Sequence, residues 1–105
     1  GGIQTFGEEH TKFEQKGSKR VSVFFIPMLI SNMAAGMISI RTGFKGVNFA
    51  PVTACATSSH AVGEAFRQIK NGYLDACVTG GAEASVTKFA AAGFHNMGAL
   101  STSAA

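Results

Sequence analysis

Twenty consecutive residues, Val21 to Ile40, carry no charge, and they are bracketed by Lys19-Arg20 and Arg41. A run of that length can cross a bilayer as a helix. Its interior argues otherwise: Ser22, Ser31, Asn32, Gly36 and Ser39 are polar or small, and Pro27 interrupts it. Proline lacks an N–H and biases the residue before it away from helix. It divides the run into a β-prone stretch, Val21 to Ile26, and a helix that begins at Pro27. Ile30, Met33, Met37 and Ile40 recur at helical spacing, Ala34, Ala35 and Gly36 allow close packing, and Gly43 supplies the stop. The spacing predicts a helix buried on both sides rather than a membrane span. A membrane-associated scaffold remains the competing class.

The rest of the chain is equally short of charge. Only 14% of its 105 residues are charged, while 46% are hydrophobic. A soluble domain usually carries about 25% charged residues, and a short chain has more surface to cover for its volume. The composition therefore predicts the interior of something larger. The ends read the same way, with Gly1-Gly2 and no methionine at one and Ser101 to Ala105 without a capping element at the other. The net charge of +3 is concentrated in Lys12 to Arg20 and Arg67 to Lys70. They form no long basic block, so nucleic acid is not an expected partner; an acidic protein is. Cys55 and Cys77 form no disulfide framework, and there is no C-x-x-C or Cys/His cluster. Free thiols in a reducing, cytoplasmic setting, with no metal or cofactor, are the expectation.

Along the chain, Phe6, His10 and Phe13 mark a surface helix over Phe6 to Lys16, closed by Gly17. After the proline-led helix, Gly46 to Thr53 reads as a strand, with Pro51 arguing for an edge or a bulge. Ser58 to Asn71 returns to helical period through Val62, Ala65, Phe66 and Ile69, and Gly72 ends it. Ala76 to Thr79 reads as a short apolar strand closed by Gly80-Gly81, and a last helix is expected near Ser85 to Ala92. Alternating helices and strands predict an α/β layered fold with strands buried on both faces.

Chemistry concentrates in Thr53-Ala-Cys-Ala-Thr-Ser-Ser-His60. Cys55 stands where an apolar strand gives way to an amphipathic helix, flanked by Ala54 and Ala56. That is the geometry of a nucleophile elbow, by analogy only, since G-x-S-x-G is absent. A helix N-terminus carries partial positive charge and unpaired N–H groups. Both favour a thiolate, and the same N–H groups can receive an oxyanion. The competing assignment is a buried cysteine acting as a small hydrophobe. His10, His60 and His95 read as ordinary surface or packing histidines, with His60 turned away from the thiol. Cys77 reads as a core residue. Gly80-Gly81 lacks a phosphate-loop pattern and reads as a strand end needing positive φ or close packing.

The stretch T-A-C-A-T-S-S-H-A-V-G-E-A resembles the active-site segment of β-ketoacyl-acyl-carrier-protein synthases. F-F-I-P-M-L-I-S-N-M-A-A-G, G-Y-L-D-A-C-V-T-G-G-A-E and G-F-H-N-M-G-A-L-S-T resemble the same family in order and spacing, over nearly the whole chain. The last of these is more similar to the type II elongating synthases than to type I. The D-T-A-C-S-S-S usual in modular polyketide synthases is not matched, and the initiating (type III) synthases are less similar.

The resemblance implies a part of a thiolase-like α/β/α/β/α fold, with residues 1–105 forming part of its N-terminal half and no separate domains. Cys55 would accept an acyl chain from acyl-carrier protein, its own N–H serving as an oxyanion donor. Ile26 and Phe94 match acyl-pocket positions, and Phe25 matches one reaching the pocket of a dimer mate. Lys19 and Arg20 match basic positions that meet the acidic carrier protein in its acyl and malonyl forms. The segment Val47 to Val52 matches the strand that pairs across a homodimer. Decarboxylative condensation would need two histidines and a lysine from a later part of the family chain. A non-catalytic folding or dimerisation fragment of the same fold is therefore an alternative.

Overall fold

The computed structural model describes residues 2–103, which form two compact units. One takes the residues up to Ile30 and those from Ala84 onward; the other is Ser31–Glu83.

The first unit is built on α1 (Ile3–Lys16), which packs against α2 (Phe25–Leu29) and α5 (Lys88–Asn96). Helix α1 ends where the glycine predicts it, with the Gly17 N–H donating to the Phe13 carbonyl. A 3₁₀ turn, Ser18–Arg20, follows. Its exit is fixed by Glu9, whose side chain lies on α1 with only 4% exposure. One Glu9 carboxylate oxygen accepts from Lys12 Nζ and the other from the Ser22 N–H at 2.7 Å. Helix α5 opens with Thr87, whose hydroxyl accepts from the Ala90 N–H at 3.2 Å, a side-chain N-cap.

The Lys12 hydrogen bond, and then the Ser22 N–H, hold the Glu9 carboxyl below its ordinary range. A carboxylate lowered in the folded state contributes stability above its ordinary titration range, and that contribution is lost as pH falls through the lowered value. Glu9→Gln is therefore expected to flatten the acid limb of stability. Melting temperatures of the complete protein and the variant, followed from about pH 6 to about pH 3, should converge as pH falls. Parallel curves would mean that Glu9 is not coupled to folding.

The second unit contains α3 (Met33–Thr42), a 3₁₀ turn over Ala54–Ala56, and α4 (Thr57–Lys70). Gly43 ends α3 in the left-handed region at φ 72°, its N–H donating to the Ser39 carbonyl. A Cβ would be disfavoured there, which is why the stop is glycine. Helix α4 matches the expected span within a residue at each end, and Gly72 closes it with a bond to the Ile69 carbonyl.

Several expectations are corrected. Val21 to Ile26 is not an extended segment: α2 begins at Phe25, and Pro27 is its third residue. Proline is tolerated there because N–H groups of a first turn have no partner within the helix. The uncharged run is not one helix either. Ile30 is extended and α3 starts at Met33, so the chain breaks at Ser31-Asn32. No helix among the described residues is long and apolar enough to cross a membrane. The last helix begins at Lys88, three residues after the expected start and ending at Asn96.

No strand is formed among the described residues. Gly46 to Thr53 and Ala76 to Thr79 carry no ladder, since a strand needs a second segment opposite its N–H and C=O groups. The first is tethered instead by a side chain, Asn48 Nδ2 donating to the Ala35 carbonyl at 3.2 Å. The apolar residues also lack cover. Among the described residues, Ala65 and Ala90 are the buried hydrophobic ones, whereas Val23, Ile40 and Val52 are largely exposed. Exposed apolar area on this scale is of the kind that marks an interaction surface. That is the physical counterpart of the low charge.

Candidate active site

The second unit presents Cys55 at a sharp bend. The 3₁₀ turn Ala54–Ala56 runs directly into α4, and the chain enters it through Ala54 at φ 50°. Ala54 is the one non-glycine residue with positive φ among the described residues. A Cβ is disfavoured in that region, and backbone strain of this kind gathers at functional sites. The strand of the expected elbow is not formed, but its bend and its helix are.

Thr57, the first residue of α4, holds the bend together. Its Oγ1 accepts from the Thr53 N–H at 2.8 Å and donates to the Ala54 carbonyl at 2.8 Å. The Ala56 N–H donates to the Thr53 carbonyl at 3.1 Å. On the far side, Gly81 passes so close that a Cβ there would lie 2.7 Å from the Ser58 Cβ. The expectation that this glycine pair serves close packing is met at Gly81.

Cys55 is exposed rather than sealed in hydrocarbon. Its N–H has no protein acceptor among the described residues. No side chain caps α4, and no acidic residue sits in its first turn. A 14-residue helix thus directs the positive end of its dipole, unopposed by its own side chains, toward the turn that bears the sulfur. The arrangement suits a nucleophile whose reaction develops negative charge.

The other candidate residues divide between the units. Lys19 and Arg20 are exposed on the 3₁₀ turn that Glu9 anchors. Phe25 is half-buried at the start of α2, Ile26 beside it is 58% exposed, and Phe94 on α5 is 46% exposed. These five belong to the first unit, and Cys55 belongs to the second. Val47, Phe49 and Val52, on the segment matched to an intersubunit strand, are exposed.

His60 is exposed on α4 and lines an open groove with Phe49, Pro51, Ser59, Gly63, Glu64 and Arg67, in which Cys55 takes no part. The Glu64 carboxyl in that groove is lowered by hydrogen bonds from Gln68 and then Arg67. His10 stacks on Phe6 with ring centroids 5.9 Å apart. His95 is exposed in the last turn of α5. His10 and His95 belong to the first unit, and His60 lies on α4. Cys77 is a correction: it is exposed, not a core residue, because the strand that would have buried it has no partner. No grouping of side chains suited to a metal ion occurs among the described residues.

Sequence reasoning names Ala54 only as a small neighbour of Cys55 and does not single out Thr57. The hydroxyl of Thr57 was findable, since threonine near a helix start bonds local backbone. The φ of Ala54 carries no signal, because alanine is not a residue type that advertises the left-handed region.

Comparison with known proteins places these features in a lineage. Residues 1–105 match the family described as "Beta-ketoacyl synthase, N-terminal domain". The chain is 52% identical over 102 residues to 3-oxoacyl-[acyl-carrier-protein] synthase 2 of Staphylococcus aureus, covering 97% of this chain and 25% of that protein. It is 46% identical over 101 residues to the protein of the same name from Synechocystis sp., covering 96% of this chain and 24% of that protein. The chain thus spans about a quarter of the length of the curated relatives it matches.

Proposed function

The chain belongs to the β-ketoacyl synthase family through its N-terminal domain, and on that premise we propose that it carries the nucleophile of a type II condensing enzyme of fatty-acid elongation. The observation that carries this reading is Cys55, exposed on a strained bend at the uncapped start of α4.

In the proposed reaction the Cys55 thiolate attacks the carbonyl carbon of an acyl thioester borne by acyl-carrier protein. A new sulfur–carbon bond forms, and the carbonyl oxygen takes negative charge facing the Cys55 N–H. The bond to the carrier sulfur then breaks, and the carrier leaves as a thiolate that takes up the proton released by Cys55. In the second half-reaction, malonyl-carrier protein loses carbon dioxide. Its carbanion displaces Cys55 from the acyl group, giving 3-oxoacyl-carrier protein and the free thiolate. By the family resemblance, that step would need two histidines and a lysine from a later part of the family chain.

The same reading gives Phe25, Ile26 and Phe94 to the acyl pocket and Lys19 and Arg20 to the carrier-protein contact. It also gives Val47 to Val52 to pairing across a homodimer. Partner segments of that kind would supply the ladders of a thiolase-like α/β/α/β/α fold, in a cytoplasmic enzyme. A second reading rests on the sparse core: the 105 residues by themselves act as a folding or dimerisation unit without condensing activity.

Thiol labelling tests the assignment. A thiol at a helix N-terminus should react faster with an electrophile than an unperturbed thiol. Iodoacetamide or an acyl-thioester analogue should modify Cys55 of the complete protein at least ~10-fold faster than it modifies free cysteine at the same pH. Equal rates would remove the case for a nucleophile at Cys55.

A further inference from the structure

We infer that Thr57 is a positioning residue for Cys55, its hydroxyl acting as a clasp that holds the strained bend shut. The inference rests on the proposed role of Cys55 and extends it to a side chain with no part in bond making. Ala54 occupies a backbone region that its Cβ disfavours, so something must hold it there. One hydroxyl spans that residue: it accepts from the N–H of Thr53, just before Ala54, and donates to the carbonyl of Ala54 itself. Because Thr57 opens α4, the clasp joins the bend to the helix.

The sulfur and the N–H of Cys55 both follow the peptide that the clasp grips. If the hydroxyl is lost, Ala54 can relax toward negative φ, and both groups swing from their direction at the head of α4. Misplacement by about 1 Å costs a reaction of this kind up to ~100-fold.

The test compares Thr57→Val, which keeps the shape without the hydroxyl, with Thr57→Ser, which keeps the hydroxyl, in the complete protein. Acyl-enzyme formation from an acyl-carrier-protein thioester is followed by intact mass, with Cys55→Ala as reference. Thr57→Val should acylate ~10- to 100-fold more slowly at saturating carrier protein, with KM little changed, and Thr57→Ser should stay within ~3-fold of the parent. A parental rate in Thr57→Val overturns the inference, as does an equal loss in both variants, which would assign the effect to packing. Should Thr57→Val not fold, Thr57→Ser decides alone: a loss beyond ~10-fold overturns the clasp. Acylation surviving in Cys55→Ala would instead sink the proposed function, a separable outcome.

Discussion

Cys55→Ala is expected to abolish acyl-enzyme formation in the complete protein, lowering its rate by at least ~10⁴-fold, while leaving the protein folded. The two halves of this expectation have different causes. The other cysteine, Cys77, belongs to the same unit but lies outside the bend and outside every helix among the described residues. Removing a nucleophile also removes the covalent path itself rather than one contact within it, which is why the loss exceeds what positioning residues produce. Folding, by contrast, has little at stake. The side chain is exposed, and its Sγ makes no hydrogen bond among the described residues. Substitutions at such positions usually shift stability by no more than about 0.5 kcal/mol. Intact mass after incubation with an acyl-carrier-protein thioester, read beside a melting curve, separates the halves. An acylated Cys55→Ala protein would show that the chain's nucleophile lies elsewhere. An unfolded one would show that the sulfur is structural.

What was legible in the sequence follows the range of the interactions involved. Helix α1 ends at Gly17, α3 at Gly43 and α4 beside Gly72, because a helix stop is decided by a few neighbouring residues. The helix after Cys55 was legible from Val62, Ala65, Phe66 and Ile69, whose period needs no partner to be read. Strands differ. Whether Gly46 to Thr53 or Ala76 to Thr79 pairs depends on segments remote in sequence, and among the described residues neither pairs. The misreading of Cys77 follows from that one, since burial in a strand requires the strand. Pro27 was expected to open a helix after an extended Ile26; instead α2 begins at Phe25 and takes Pro27 as its third residue, a first-turn position whose N–H needs no partner within the helix.

The candidate site was legible to the same depth. Small residues on either side of a cysteine at a helix start pointed to a bend, and the bend is there. The strain at Ala54 and the hydroxyl that spans it were not visible, because both are properties of the folded backbone rather than of residue type.

Reversing Lys19 and Arg20 together to glutamate is expected to raise the Kd for acyl-carrier protein about 100-fold at low ionic strength, on the reading that they meet its acidic face. Both side chains are exposed, and neither has an ion-pair partner among the described residues. Their charge is therefore free to act on an approaching molecule. They are also presented on a defined surface: the Glu9 carboxylate grips the Ser22 N–H just beyond the turn and fixes its exit. Each substitution removes an attraction and installs a repulsion, so the pair should slow association more than it speeds dissociation.

Salt supplies the control. Exposed charges act over about 10 Å at 0.1 M salt and about 3 Å at 1 M, so the difference from the parent should shrink steeply as salt rises. Kinetics supply another. KM for the carrier-borne substrate should rise with kcat nearly unchanged, whereas a small acyl thioester lacking the carrier protein should acylate Cys55 at the parental rate. A defect that persists at 1 M salt, or that appears equally with the small thioester, would mean that the turn supports the fold of the first unit rather than the encounter. Unchanged affinity at low salt would place the carrier-protein contact on another part of the protein.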